Sequence, residues 1–231
     1  MLFTSNLVTQ ASGSIGGITA ARNAAGLYFR ARSTPVNPNT PQQQAIRDAM
    51  SLLSQRYVDG LTPSQREAWR TYGLNVTSVN RLGQPITLNA MSMYCRCNVS
   101  RNQAGLAIID DAPTTFNLGD TPDVTLDAIG AGSAPEANLI FDAGSNAWAA
   151  ADENTLLVYA SRQRSPSVQF FKGPYRLAKA VSGNATLPVS TADVELPFAG
   201  SFGNLITLRF RVSYADGRLS SAQTVTGTVE I

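Results

Sequence analysis

The chain has 231 residues, 43% hydrophobic and 15% charged, with two cysteines and no histidine. That composition folds rather than staying disordered, and no apolar run approaches the roughly 20 residues of a membrane-spanning helix. The start, Met1-Leu2-Phe3-Thr4-Ser5, has no basic stretch followed by a long apolar one, so no secretory signal is expected.

A net charge of +2 hides an asymmetry between the halves. Residues 1–105 carry 10 Arg, no Lys and 3 acidic residues, which gives +7; residues 106–231 carry 8 Lys+Arg against 13 Asp+Glu, which gives −5. The expected division is a basic end that touches an acidic partner and a neutral-to-acidic end that faces water. Arginine alone in the basic half favours forked hydrogen bonds to carboxylates and carbonyls over diffuse screening.

Residues 11–39 read as an extended arm. Ala11-Ser12-Gly13-Ser14-Ile15-Gly16-Gly17 is too small and flexible to hold structure by itself. Ile18 to Arg22 and Leu27 to Arg32 have strand composition around a turn at Asn23-Ala24-Ala25-Gly26. A lone hairpin is marginal in water, so this one needs a surface to lie on. The prolines of Ser33-Thr34-Pro35-Val36-Asn37-Pro38-Asn39 keep that segment extended.

Two helix starts follow. Thr40-Pro41-Gln42-Gln43 and Thr62-Pro63-Ser64-Gln65 each give a threonine cap, proline at the first helical position and glutamine two residues on. The first helix carries Ile46, Ala49, Met50, Leu53 and Tyr57 on one stripe and ends at Gly60. The second runs through Ala68, Trp69 and Tyr72 to Gly73, and Trp69 is expected between the two helices. Asn75 to Pro85 reads as a connector. A third helix from Thr87 to about Gln103 would turn Leu88, Met91, Tyr94, Cys95 and Val99 inward and Arg96 and Arg101 outward, with Gly105 as its stop.

From Leu106 the apolar period changes from 3.6 to 2. In Asn204 to Tyr214, Ile206, Leu208, Phe210, Val212 and Tyr214 face one way while Thr207, Arg209, Arg211 and Ser213 face the other. Asp216-Gly217 turns into Arg218 to Ile231, where Val225, Val229 and Ile231 alternate with Thr226, Thr228 and Glu230. Further strands are expected at Asp123–Ala128, Asn138–Asp142, Thr155–Ser161, Pro174–Val181 and Ala192–Phe198. Short strands with regular turn signals point to an immunoglobulin-like sandwich, without the Cys…Trp…Cys framework of antibody domains.

Chemistry is hard to place on this chain. Without histidine, Ser-His-Asp and Cys-His arrangements are impossible. Cys95 and Cys97 point about 200° apart on a helix, and with no further ligands they make no zinc site. The carboxylate pairs Asp110-Asp111 and Asp152-Glu153 read as solvated loops, and Lys172 and Lys179 lack a Ser-x-x-Lys spacing. Gly13-Ser14-Ile15-Gly16-Gly17 lacks the Gly-Lys-Ser/Thr ending of a phosphate loop. No enzyme activity, cofactor or metal is expected. Instead, Arg22, Tyr28, Arg30, Arg32 and Arg47 form the candidate partner-binding set. Four arginines scattered among alanines and glycines are a thin footprint for nucleic acid, so a protein partner is favoured.

The string Gly13-Ser14-Ile15-Gly16-Gly17-Ile18-Thr19…Arg22-Asn23…Gly26-Leu27-Tyr28…Arg30-Ala31-Arg32…Pro35…Asn37-Pro38…Thr40…Gln43, followed by Leu61-Thr62…Gln65-Arg66…Trp69, resembles the N-terminal region of a loosely defined set of phage and prophage proteins carried among virion structural genes. The likeness covers about residues 11–75, and the second half is similar in style to immunoglobulin-like modules of phage particles. This resemblance implies a virion component of a tailed phage, assembled in the host cytoplasm. The expectation is an α+β chain with an arm over 1–39, a helical anchor over 40–105 and a β-sandwich over 106–231. Its expected role is a capsid decoration or cement protein that binds the major capsid protein or another virion protein, forms a homo-oligomer and touches no membrane. The alternatives are a neck or tail component, a nucleic-acid-binding protein, or a glycan-binding module using Trp148, Tyr159 or Tyr175.

Overall fold

Gly16 takes φ +57 between β1 (Gly13–Ile15) and β2 (Ile18–Asn23), the backbone that the first position of a tight hairpin turn reserves for glycine. A second hairpin joins β2 to β3 (Gly26–Ala31), giving an antiparallel sheet ordered β1-β2-β3. The computed structural model describes residues 13–23, 26–34, 36–79, 84–168, 171 and 173–230. Ala24 and Ala25 of the expected turn, Pro35, Lys172 and Ile231 lie outside them. The chain divides into two units, Met1–Pro41 and Gln42–Ile231. The first holds this three-stranded sheet.

The chain is mixed α+β. Helix α1 (Pro41–Gln55) continues into a π-helical turn over Arg56–Gly60, and α2 spans Pro63–Asn75. Thr62 closes the predicted capping box: its Oγ1 accepts from the Gln65 amide at 3.3 Å, and Gln65 Oε1 accepts from the Thr62 amide at 2.9 Å. On α1, Ala49 and Leu53 are buried, but Met50 is 40% exposed, so the buried stripe is narrower than predicted. Gly73 does not stop α2, which runs on to Asn75. A Cβ at Gly73 would come 2.6 Å from the Leu88 carbonyl, so glycine is there for close approach.

The connector contains two short paired strands, β4 (Ser78–Val79) and β5 (Pro85–Ile86). Helix α3 spans Ala90–Gln103 and is capped by Asn89, whose Oδ1 accepts from the Ser92 amide at 2.8 Å. Its start therefore lies three residues beyond the expected Thr87. Gly105, φ +71, follows its end.

Two antiparallel sheets complete the second unit. One is ordered β10 (Thr191–Glu195), β7 (Glu136–Ile140), β6 (Thr125–Ile129). The other is ordered β12 (Gln223–Thr228), β11 (Leu205–Ser213), β8 (Thr155–Ser161), β9 (Tyr175–Ser182). Alternate residues of both sheets meet in one core: Ile129, Ala137, Leu139 and Val194 from the first, Leu156, Val158, Ile206, Leu208, Phe210 and Val212 from the second.

The other face of the four-stranded sheet is not left to water. Leu157 and Leu219 share a second core with Leu53, Trp69, Tyr72, Met93, Tyr94 and Cys97 of the helices, and Tyr159, Leu177 and Ala180 pack against it. Helix α3 is therefore buried on several sides. Arg101, expected to point outward, is 7% exposed. Its Nε donates to the Ala107 carbonyl at 2.7 Å, and its Nη1 donates to Ser213 Oγ at 2.9 Å and to the Tyr214 carbonyl at 3.0 Å. The unit Gln42–Ile231 thus runs straight across position 105, where the sequence pattern predicts a break.

Trp69 packs edge-on against Tyr72 and Tyr94, with ring centroids 5.9 and 5.4 Å away, and so lies against α3 as well as along α2. Its Nε1 donates to the Asp110 carbonyl at 2.8 Å.

Candidate partner-binding surface

Register decides which of the predicted residues act together. In the first unit Ala21 pairs with Tyr28 and Thr19 with Arg30, so Tyr28 and Arg30 share a face with Ser14 and Thr19. The Ser14 and Thr19 hydroxyls are 2.7 Å apart on that face. Arg32, one residue beyond β3, keeps the same parity; its amide donates to the Gly17 carbonyl at 2.9 Å and its Nη1 reaches the Gly16 carbonyl at 3.5 Å. Arg30 and Arg32 are exposed and Tyr28 is half-buried.

Arg22 pairs with Leu27 and stands on the opposite face, beside Ile15, Ile18, Ala20 and Phe29. That face is apolar and open: Ile15 is 90% exposed and Ile18 54%. Arg47 is exposed on α1, in the other unit. Within the first unit the predicted residues divide between two faces: Tyr28, Arg30 and Arg32 on one and Arg22 on the other, while Arg47 belongs to the second unit. Ile15 and Ile18 complete the surface, and the glycines around them drew attention to flexibility instead of to a sheet face.

Residues 1–41 contain no Asp or Glu, so the Tyr28-Arg30-Arg32 face has no carboxylate of its own unit to pair with. Arg32 reaches back to the Gly16 carbonyl at the β1–β2 turn, and Arg30 stands exposed on the same face. This arrangement can take carboxylates and carbonyls of a neighbour while the other face takes apolar contact.

The remaining candidates are structural. Asp110, predicted as solvated, receives two bonds from Arg56, Nε to Oδ1 at 2.8 Å and Nη2 to Oδ2 at 2.7 Å, and one from Tyr94 Oη at 3.1 Å. The Arg56 bonds hold the Asp110 carboxyl below the usual carboxylate range, and burial pushes the Tyr94 phenol up. Asp111 accepts from Gln65 Nε2 at 2.9 Å, and Asp152 accepts from the Ala185 amide at 3.0 Å. Lys179 Nζ donates to the Asp193 carbonyl at 2.7 Å.

Cys95 and Cys97 are buried free thiols; burial pushes Cys97 up to about 12, so it stays protonated and unreactive. Among the described residues, no group of three or more Cys, Asp or Glu is placed to hold a metal ion. Trp148 is 2% exposed, packed 5.0 Å from the Phe141 ring, and offers no platform for a sugar. Tyr175 has the Arg209 guanidinium over its ring at 4.2 Å, and Tyr159 is drawn into the core beneath α3.

No protein-family model, curated protein or solved structure matches this chain.

Proposed function

We propose that the chain is a structural protein of a tailed-phage particle, most simply a capsid decoration protein, attached to its neighbour by the Met1–Pro41 unit. The observation that carries the reading is the two-faced sheet of that unit. One face presents Tyr28, Arg30 and Arg32 without a carboxylate partner in the unit, and the other leaves Ile15 90% exposed. A sheet this small, apolar on one side and cationic on the other, gains most of its stability by lying on another protein. The sequence resemblance over residues 11–75 supplies the class of neighbour, the major capsid protein or another virion protein.

The β-rich part is read here as an immunoglobulin-like module. What supports this is its arrangement of three and four antiparallel strands about one apolar core. A neck or tail position would use the same arm on a different lattice. The chain is read as non-enzymatic: it lacks histidine, its thiols are buried, and Asp110, Asp111 and Asp152 are engaged in holding loops.

The test is assembly with a chain lacking residues 1–39. The shortened protein is expected to fold, because the core clusters draw on residues from Leu53 onward, and to be missing from particles. Incorporation at the normal level without the arm overturns the reading.

A further inference from the structure

The two sheets of the second unit divide charge between them. None of the four strands β8, β9, β11 and β12 contains Asp or Glu, while none of β6, β7 and β10 contains Lys or Arg. Because both sheets turn their apolar residues to one shared core, the charged faces look in opposite directions.

On the four-stranded sheet the outward row of β11 is Thr207, Arg209, Arg211 and Ser213. Arg209 lies 4.2 Å over the Tyr175 ring, and Arg164 lies 4.8 Å over the Phe171 ring while donating to Thr207 Oγ1 at 2.5 Å. Stacking on the rings fixes the guanidinium planes. The Nε atoms of Arg164, Arg209 and Arg211 are buried without an acceptor, an arrangement a folded chain normally avoids. Burial, with Arg96 and Arg209 close by, lowers the Arg211 guanidinium from its ordinary value. Helix α3 covers the Arg211 end; at the other end Thr224 and Thr226 are exposed and Arg164 and Arg209 half-buried.

The outer face of the three-stranded sheet is the converse. Asp127, Glu136, Asp193 and Glu195 are all exposed there, and register sets Glu195 directly opposite Glu136. Like charges facing each other across a ladder destabilise a sheet unless something cationic covers them. Among the described residues the ion pairs are Arg56–Asp110, Arg70–Glu67 and Arg218–Asp216, and none lies on either face. Ile140, 46% exposed, adds an apolar contact to the acidic face.

We propose that the chain associates head to tail with further copies of itself, the Arg164–Arg209 face of one copy seated on the Glu136–Glu195 face of the next. Charge complementarity selects this occupant: each face carries the groups the other lacks, on one and the same unit. Such an interface is heterologous, so each copy uses both faces and assembly continues to a ring or a filament. The aromatic rings are already occupied by arginine, which removes the stacking platform a single-stranded nucleic acid would use. This proposal does not rest on the virion reading.

Sedimentation velocity of the full chain at low and high salt tests it. Assemblies larger than a dimer are expected at low salt, dissociating as salt screens the contact. E136K/E195K, two exposed positions with no part in the core, is expected to lose association. R164Q/R209Q is expected to lose it too, and an equimolar mixture of the two variants should stop at a one-to-one heterodimer, since one good interface remains. If the arginine variant fails to fold, the acidic-face variant decides alone. A wild type that stays monomeric at low salt, association that survives E136K/E195K, or a monomer that binds a short oligonucleotide through Arg164 and Arg209 overturns the proposal.

Discussion

Arg101 of α3 and Ser213 of β11, 112 residues apart in the chain, meet at 2.9 Å between Nη1 and Oγ. With its bonds to the Ala107 and Tyr214 carbonyls, this buried guanidinium ties the helices to the sheet. No carboxylate bonds it in that network; burial lowers its pKa, while the charges of Glu153 and Asp216 act the other way. Arg101→Met leaves two carbonyls and a hydroxyl without their donor and is expected to cost about 2–4 kcal/mol. Urea unfolding of the variant checks this; a loss below about 0.5 kcal/mol would mean that water replaces the side chain.

Asp110 supplies a pH signature. Its folded carboxyl is lowered, chiefly by the Arg56 bonds, so the pair contributes stability above the ordinary carboxylate value of about 3.9 and loses it as pH falls through the lowered one. Thermal melting of the wild type is therefore expected to hold between neutral and mildly acidic pH, then to drop at acid pH. Asp110→Asn should be less stable at neutral pH and should approach the wild type as pH falls. Curves that remain parallel down to acid pH would remove Asp110 from the account.

The shared second core decides how fragments behave. A 106–231 fragment uncovers Leu157, Tyr159, Leu177, Ala180 and Leu219 on one sheet face, each Leu-sized side chain costing about 1.5–3 kcal/mol when returned to water. It is expected to aggregate or to bind hydrophobic dyes, whereas 40–231 should melt in one cooperative transition. A soluble 106–231 fragment with a sharp melt would show that the helices are dispensable cover.

Much of this fold is legible in local pattern. The capping box at Thr62, the alternation in Ile206–Val212 and the hairpin before Arg30 follow from residue types and their spacing. What the pattern hides is which surface a polar row meets. Thr207, Arg209, Arg211 and Ser213 read as a solvent face, yet Ser213 is buried, because a helix more than 100 residues earlier covers that end of the sheet, and Thr207 is buried beside Arg164 and Thr226. The same distant contact turns Arg101 inward. In the arm, the residue types are evident but not their grouping: the pairing register of β1, β2 and β3 sets the parity that separates Arg22 from Tyr28, Arg30 and Arg32.

That grouping makes the arm testable by chemistry instead of charge. Arg30→Lys with Arg32→Lys keeps the charge but loses the fork, and is expected to weaken attachment to the partner, while Arg22→Lys on the opposite face should change it less. Attachment that is unchanged by the double lysine variant and falls steeply with salt would mean simple screening of a polyanion.

The proposed virion role is tested most directly by quantitative mass spectrometry of virus particles purified from cells that carry the gene for this chain. The account predicts the protein in the particle, in a fixed ratio to the major capsid protein. A few copies in a ring-like stoichiometry would move it to the neck or tail, and its absence from intact particles would contradict the claim.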